Sequence, residues 1–183
     1  MQRYIAFLRA LNVGGHTVTM ETLRTVFQGM GFTEVSTFIA SGNVIFRTPA
    51  ADVRSLERRI ETALKDALGY EVATFLRRED ELAEIAAYEP FQGVNARPGD
   101  RLHILFLPAA PDAGVRGRVE ALSNDADLFH VRGAEVYWLR RGNLMDATVK
   151  DVEITRALGK VPTTMRNLNT VRRIAAKLGG PVH

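Results

Sequence analysis

The chain contains no cysteine among its 183 residues. Disulfides, thiolate catalysis and cysteine-based zinc sites are therefore excluded. Long apolar runs are missing too. The run from Tyr4 to Leu8 is ended by Arg9, which makes it too short for a secretory h-region or a membrane span. The chain reads as soluble and cytoplasmic, with no membrane segment. Acidic charge is absent from the C-terminal stretch. Between Ile154 and His183 the charged residues are Arg156, Lys160, Arg166, Arg172, Arg173 and Lys177, with no Asp or Glu. The stretch Glu79 to Glu89 is the reverse, carrying Glu79, Asp80, Glu81, Glu84 and Glu89 without Lys or Arg. A net charge of +3 is thus unevenly spread. Such asymmetry marks an anion-binding surface, a solvated helical face, or two segments that attract each other.

Hydrophobic residues at 46% and charged residues at 25% are ordinary for a globular protein, and the length suits one domain or two small ones. Arg3 to Leu11 reads as an inner strand, apolar on both faces except at Arg9. Thr19 is a candidate N-cap for a helix with Leu23, Val26, Phe27 and Met30 at core spacing, stopped at Gly31. Val35 to Ala40 and Val44 to Arg47 read as strands joined by the hairpin signal Ser41-Gly42-Asn43. Asp52 caps a second helix that closes at Gly69, and Tyr70 to Arg77 is a fourth strand. This β-α-β-β-α-β order is the ferredoxin-like, or α-β plait, arrangement.

The second half opens on a short acidic helix, Glu79 to Ala87, and a Gly/Asn/Pro loop. Leu102 to Leu107 reads as a strand, and Asp112 starts a helix. Leu128 to Arg132 and Glu135 to Arg140 form a hairpin about Gly133-Ala134, and Ala147 to Leu158 is helical. Thr163 to Val171 reads as the first turns of a last helix that continues to Leu178. Its Thr and Asn content is unusual there, because those side chains compete for backbone groups. This module lacks an obvious final strand and gains a C-terminal helix. The fold class expected is α+β: two plait-like modules with antiparallel sheets, residues 1–77 and 78–183.

Three stretches carry a family resemblance. They are Phe7-Leu8-Arg9-Ala10-Leu11-Asn12-Val13-Gly14-Gly15, Ser41-Gly42-Asn43-Val44-Ile45-Phe46, and Thr164-Met165-Arg166-Asn167-Leu168-Asn169-Thr170-Val171. In this order the chain resembles the bacterial domain-of-unknown-function family 1697 over its whole length. It departs from that pattern at Met165, and at Leu168, where an aromatic residue is expected. The resemblance implies a pair of plait-like domains and no established activity.

The residues themselves offer a binding site before an enzyme. The loop Asn12 to His16 follows a strand and precedes a helix, so its backbone N–H groups can face an anion. It is neither a Walker loop nor a GxGxxG fingerprint, and its glycines also serve simply to let the chain turn. Arg9, a guanidinium in an apolar strand, requires a carboxylate, phosphate or carbonyl partner. Asn43 reads as a left-handed turn residue and joins the candidate ligand set. On the last helix Arg166 and Thr170 lie on the basic side, and Asn167 lies at the edge of the apolar arc, where an amide needs a partner.

Together these residues suggest a cleft between the modules, lined by Arg9, Asn12, Gly14, Gly15, Arg166, Asn167 and Thr170. Its ligand would be a small phosphorylated or carboxylated molecule, or a nucleic-acid backbone. The alternative makes the same side chains an internal polar network of a structural or protein-interaction module. A third reading uses His16 as a general acid or base. His16, His103, His130 and His183 show no metal-ligand spacing, and no GxSxG, SxxK or cofactor motif is present. The third strand, Asn43 to Arg47, lacks the aromatic-rich signature of an RNA-recognition motif.

Overall fold

In the computed structural model Gln2–Leu8 alternates Tyr4, Ala6 and Leu8 on one side with Ile5 and Phe7 on the other, and all of them are buried. A strand apolar on both faces has to be covered on both. That requirement places this strand, β1, inside its sheet. The structure describes residues 1–12, 14–39, 42–142 and 148–179. Val13, Ala40, Ser41 and Ala147, which the sequence assigns to a loop, a strand end, a hairpin and a helix start, lie outside them, and the helix expected from Ala147 begins only at Asp151.

After β1 come α1 (Met20–Gly29), β2 (Thr33–Thr37), β3 (Asn43–Thr48), α2 (Val53–Leu68), β4 (Thr74–Arg78) and α3 (Glu79–Ala87). The second series is β5 (Arg101–Phe106), α4 (Ala113–Glu120), β6 (Asp127–Arg132), β7 (Glu135–Arg140), α5 (Asp151–Leu158), β8 (Thr164–Asn167) and α6 (Leu168–Gly179). Each series builds a four-stranded sheet in which every pairing is antiparallel, ordered β2-β3-β1-β4 and β6-β7-β5-β8. By internal contacts the chain divides into Met1–Ile85 with Ile174–His183, and Ala86–Arg173.

The local chemistry of the helix ends is as read. Thr19, Asp52 and Asp112 accept hydrogen bonds from the amides of Thr22, Ser55 and Val115, and Gly69 closes α2 in the left-handed region. In the first unit α1 and α2 bury Leu23, Phe27, Leu56, Ile60 and Leu64 against Tyr4, Val44, Phe46 and Leu76. In the second, Val119, Ile154 and Leu158 pack with Leu105, Phe129, Val136 and Trp138.

One expectation is overturned. Thr164 to Asn167 is a strand, not the start of a helix. It pairs with β5, Thr164 opposite Phe106 and Asn167 opposite His103, so the second series does have its fourth strand. Thr at a half-buried pleat is favourable, and alternation buries Thr164 and Arg166 while Met165 points out. The first strand also ends earlier than expected, at Leu8, and β4 begins later, at Thr74.

The outer edge of β4 is closed by side chains. Glu57 and Glu61, one turn apart on α2, accept from the amides of Leu76 and Thr74, each at 2.9 Å. Burial raises the Glu57 carboxyl above its ordinary 4.5, against the Leu76 amide and the charges of Arg54 and Arg77, which lower it. We expect Glu57→Ala to cost about 2 kcal/mol, because it strands a buried amide. A carboxyl with a raised folded pKa contributes less stability as pH climbs through that value. Glu57→Gln cannot ionise and avoids the loss. Thermal melts of the unaltered chain and of Glu57→Gln should therefore converge near about pH 4, and separate in favour of the substituted chain toward about pH 7.

Candidate functional site

The residues singled out in the N-terminal half lie in the first unit. Arg9 is exposed, one residue past β1, and its backbone amide donates to the Ala73 carbonyl at 3.0 Å. The expectation of a guanidinium held inside an apolar strand is corrected by that early strand end, since water solvates the side chain. Asn12 turns its amide oxygen onto the Val18 N–H at 3.1 Å, which clasps the loop. Gly14 and Gly15 are exposed, with φ of +60° and +82°. The Tyr70 hydroxyl donates to the Leu11 carbonyl, and the His16 ring stacks on Tyr70 at 4.5 Å.

Asn43 is fully buried as the first residue of β3, and its amide nitrogen donates to the Phe38 carbonyl at 3.0 Å. The left-handed turn residue is instead Gly42, with φ +76°. A Cβ there would lie 2.6 Å from Leu11 Cδ1 and 3.2 Å from Leu8 Cβ. The close approach, together with the positive φ, selects glycine.

Arg166, Asn167 and Thr170 lie in the second unit, at the junction of β8 and α6. Arg166 is buried, and its Nη1 donates to Thr164 Oγ1 at 2.7 Å and to the Met165 carbonyl at 2.9 Å. Burial lowers its pKa to about 10, so it remains charged at neutral pH. Asn167 ends the strand and caps the helix, because its side-chain oxygen accepts from the Asn169 amide at 2.8 Å. This is the N-cap geometry that satisfies one of the orphan donors of a helix start.

Asn167 also lines an open groove of about 580 Å³ with Leu168, Asn169 and Arg172 of α6, Arg101 and Leu102 of β5, and the loop residues Glu89, Pro90, Phe91 and Val94. The remaining wall includes Asp100 and Leu139. Arg172 pairs with Glu89 at 3.2 Å, and its Nε donates to the Ala86 carbonyl at 3.3 Å. Burial pushes the Asp100 carboxyl up, but the amides of Arg97 and Gly142 and the charges of Arg141 and Arg97 outweigh it and hold the group below its ordinary range. Beside the groove, burial first and then the charges of Arg140 and Arg101 depress His103. Arg101 and Arg140 are direct cross-strand partners, so positive charge is concentrated on this end of the sheet. No group of three or more His, Asp or Glu suited to a metal ion occurs among the described residues.

The family model described as "Protein of unknown function (DUF1697)" matches residues 1–137. The chain belongs to the DUF1697 family. That description assigns it no activity. The match includes the groove residues from Glu89 to Leu102 and stops before those of α6. A solved structure, the conserved bacterial protein SP0830 from Streptococcus pneumoniae, is similar with a TM-score of 0.72 at 22% identity, covering 98% of this chain and 99% of that one. At that identity the likeness concerns the fold alone. No curated protein matches the chain.

The sequence points to Asn167, and to Arg172 as part of a basic stretch, but not to Phe91 or Arg101. They come to the groove from separate segments, and no periodicity links them. We expect Arg166→Ala to lower stability by about 2 kcal/mol through the acceptors it leaves unpaired. Asn167→Ala should cost about 1 kcal/mol, and Asn167→Asp should retain the cap. Denaturant melts of the variants check both.

Proposed function

We propose that this DUF1697 chain binds a small molecule combining an anionic group with an apolar body, in the groove of its second unit. The carrying observation is the groove itself. Apolar walls from Pro90, Phe91, Val94, Leu102, Leu139 and Leu168 face two guanidinium groups and the N-terminus of a 12-residue helix. The lining is mixed, and in ligand sites such polar groups among apolar walls fix a ligand's orientation. Here Arg101 and Arg172 supply the charge, the dipole of α6, whose Asn169 amide is already capped by Asn167, favours a phosphate or carboxylate, and Phe91 offers a ring for stacking. Glu89 acts as the resident counter-anion of Arg172, displaced when the ligand's own anion arrives.

The reading of the same region as an internal polar network draws support from Arg166, whose guanidinium donates to Thr164 and Met165, and from Asn167, whose side-chain oxygen accepts from the Asn169 amide. Two coarser readings go with the proposal. The strand order, with a helix joining the first and second strands and another joining the third and fourth, supports a ferredoxin-like plait in each unit. No helix among the described residues is long and apolar enough to cross a membrane; a cytoplasmic location is inferred from the lack of cysteine.

A ligand bound only by the folded state raises the melting temperature by mass action. Thermal shifts with phenyl phosphate, inorganic phosphate, benzoate and benzyl alcohol test the proposal. The aromatic anions should shift the melt more than inorganic phosphate, and the neutral alcohol should not shift it. Arg172→Ala should abolish the shift while changing intrinsic stability by less than about 1 kcal/mol, because its ion pair is exposed. Arg166→Ala should lower the melt yet keep the shift. Equal shifts from all four compounds, or a shift that survives Arg172→Ala, would overturn the reading.

A further inference from the structure

The second unit holds a cluster of titratable side chains outside the groove. The hydroxyl of Tyr88 lies 2.9 Å from Nε2 of His130 on β6, and the two rings stack at 5.7 Å. Nδ1 of the same imidazole lies 3.5 Å from Oε1 of Glu120, the last residue of α4. That oxygen is fixed independently, since it accepts from the Val131 amide at 3.0 Å and faces Arg116 Nε at 3.5 Å. Arg132, two residues along β6 and so on the same face as His130, sets its guanidinium 4.2 Å from the centre of the Tyr88 ring. Tyr137, the cross-strand partner of His130, is fully buried. Burial, then the charge of Glu135, raises its pKa beyond the usual phenol range, so it stays protonated.

Donor and acceptor chemistry orders the protons. With the proton of neutral His130 on Nδ1, the nitrogen nearer the acceptor-only Glu120 carboxylate, the Nε2 lone pair faces Tyr88. The Tyr88 hydroxyl is then the donor. Carboxylate, imidazole and hydroxyl in this sequence form the arrangement in which an imidazole works as base on a hydroxyl nucleophile. The His130 and Glu120 side chains are 28% and 33% exposed and Tyr88 is half-buried, so the cluster is open to a reagent.

We propose that Tyr88 is a base-activated nucleophile that accepts an acyl group from an activated acyl donor, with His130 as its base and Glu120 as the residue positioning the imidazole. In this step the phenolic oxygen bonds to the acyl carbon. The bond from that carbon to the leaving group breaks, and its electron pair departs with the leaving group. The phenolic proton passes to His130 Nε2 and on to the leaving group, so nothing is oxidised or reduced. This inference is independent of the groove reading.

The test uses N-acetylimidazole on the full chain, with peptide mass spectrometry at each tyrosine. Tyr70 is the internal reference. It is also half-buried, and its hydroxyl donates to a carbonyl rather than to a base. Tyr88 should be acetylated at least about tenfold faster than Tyr70, a conservative share of what a positioned base supplies. His130→Gln, which keeps a hydrogen-bond partner, should reduce the Tyr88 rate to that of Tyr70 and leave Tyr70 unchanged. Glu120→Gln still accepts from the Val131 amide and should slow acetylation of Tyr88 while leaving that of Tyr70 unchanged, a selectivity a purely structural role would not produce. Equal reactivity of Tyr88 and Tyr70 in the unaltered protein overturns the proposal, and that comparison requires no variant to fold. A Tyr88 rate unaffected by His130→Gln overturns it as well.

Discussion

The free backbone amides at the sheet edges constrain much of this molecule. Each sheet has four strands, so half its strands are edges, and an edge leaves N–H groups that must be satisfied or exposed. Side chains of adjoining helices and turns answer that demand. On β4 the amides of Thr74 and Leu76 end on Glu61 and Glu57 of α2. On β6 those of Phe129 and Val131 end on Ser123 Oγ and on Glu120 of α4. A carboxylate reaching a strand amide at about 3 Å fixes helix against strand in both height and rotation, which apolar packing alone does less sharply. The raised Glu57 carboxyl shows the cost, since a charge has been drawn out of water to close an edge.

The same device has a chemical consequence in the second unit. Glu120 is held by Val131 before it meets anything else, so the carboxylate beside His130 is already oriented. A surface carboxylate free to rotate would offer an imidazole little directional help, because exposed ion pairs contribute weakly. Here the strand amide supplies the rigidity, and the imidazole meets a carboxylate in a defined place. Edge closure and site formation therefore share one side chain.

Much of the fold was legible because it rests on local rules. Thr19, Asp52 and Asp112 cap helices, Gly69 ends one, and Gly133-Ala134 turns a hairpin; each position states its own backbone need. The errors arose where one residue type serves two structures. Thr164 to Asn167 was read as helix because apolar residues from Leu168 onward have helical spacing, and nothing in that spacing marks where it begins. Asn43 was read as a turn residue because asparagine tolerates left-handed backbone, but its neighbour Gly42 alone fits against Leu8 and Leu11. Arg9 was placed inside a strand that ends one residue earlier. The groove and the Tyr88 cluster were beyond such rules. Their members come from different elements, and only the pairing of β5 with β7 and β8, and of β6 with β7, brings them together.

Asn167 shows how these levels meet. As the last residue of β8 it sits opposite His103, and as the cap of α6 it directs the first helical amides. The change from extended to helical backbone at Leu168 has to occur where the strand pairing ends, or the cap oxygen would miss the Asn169 amide. Register against β5 therefore sets the point at which α6 begins. The start of α6 in turn sets where Asn169 and Arg172 emerge, one helical turn apart, on the wall of the groove. A shift of β8 by one residue would exchange Arg166 with exposed Met165 or half-buried Asn167 and rotate the start of α6 away. The buried guanidinium of Arg166, held by Thr164 and Met165, adds to the register's stability from outside the groove.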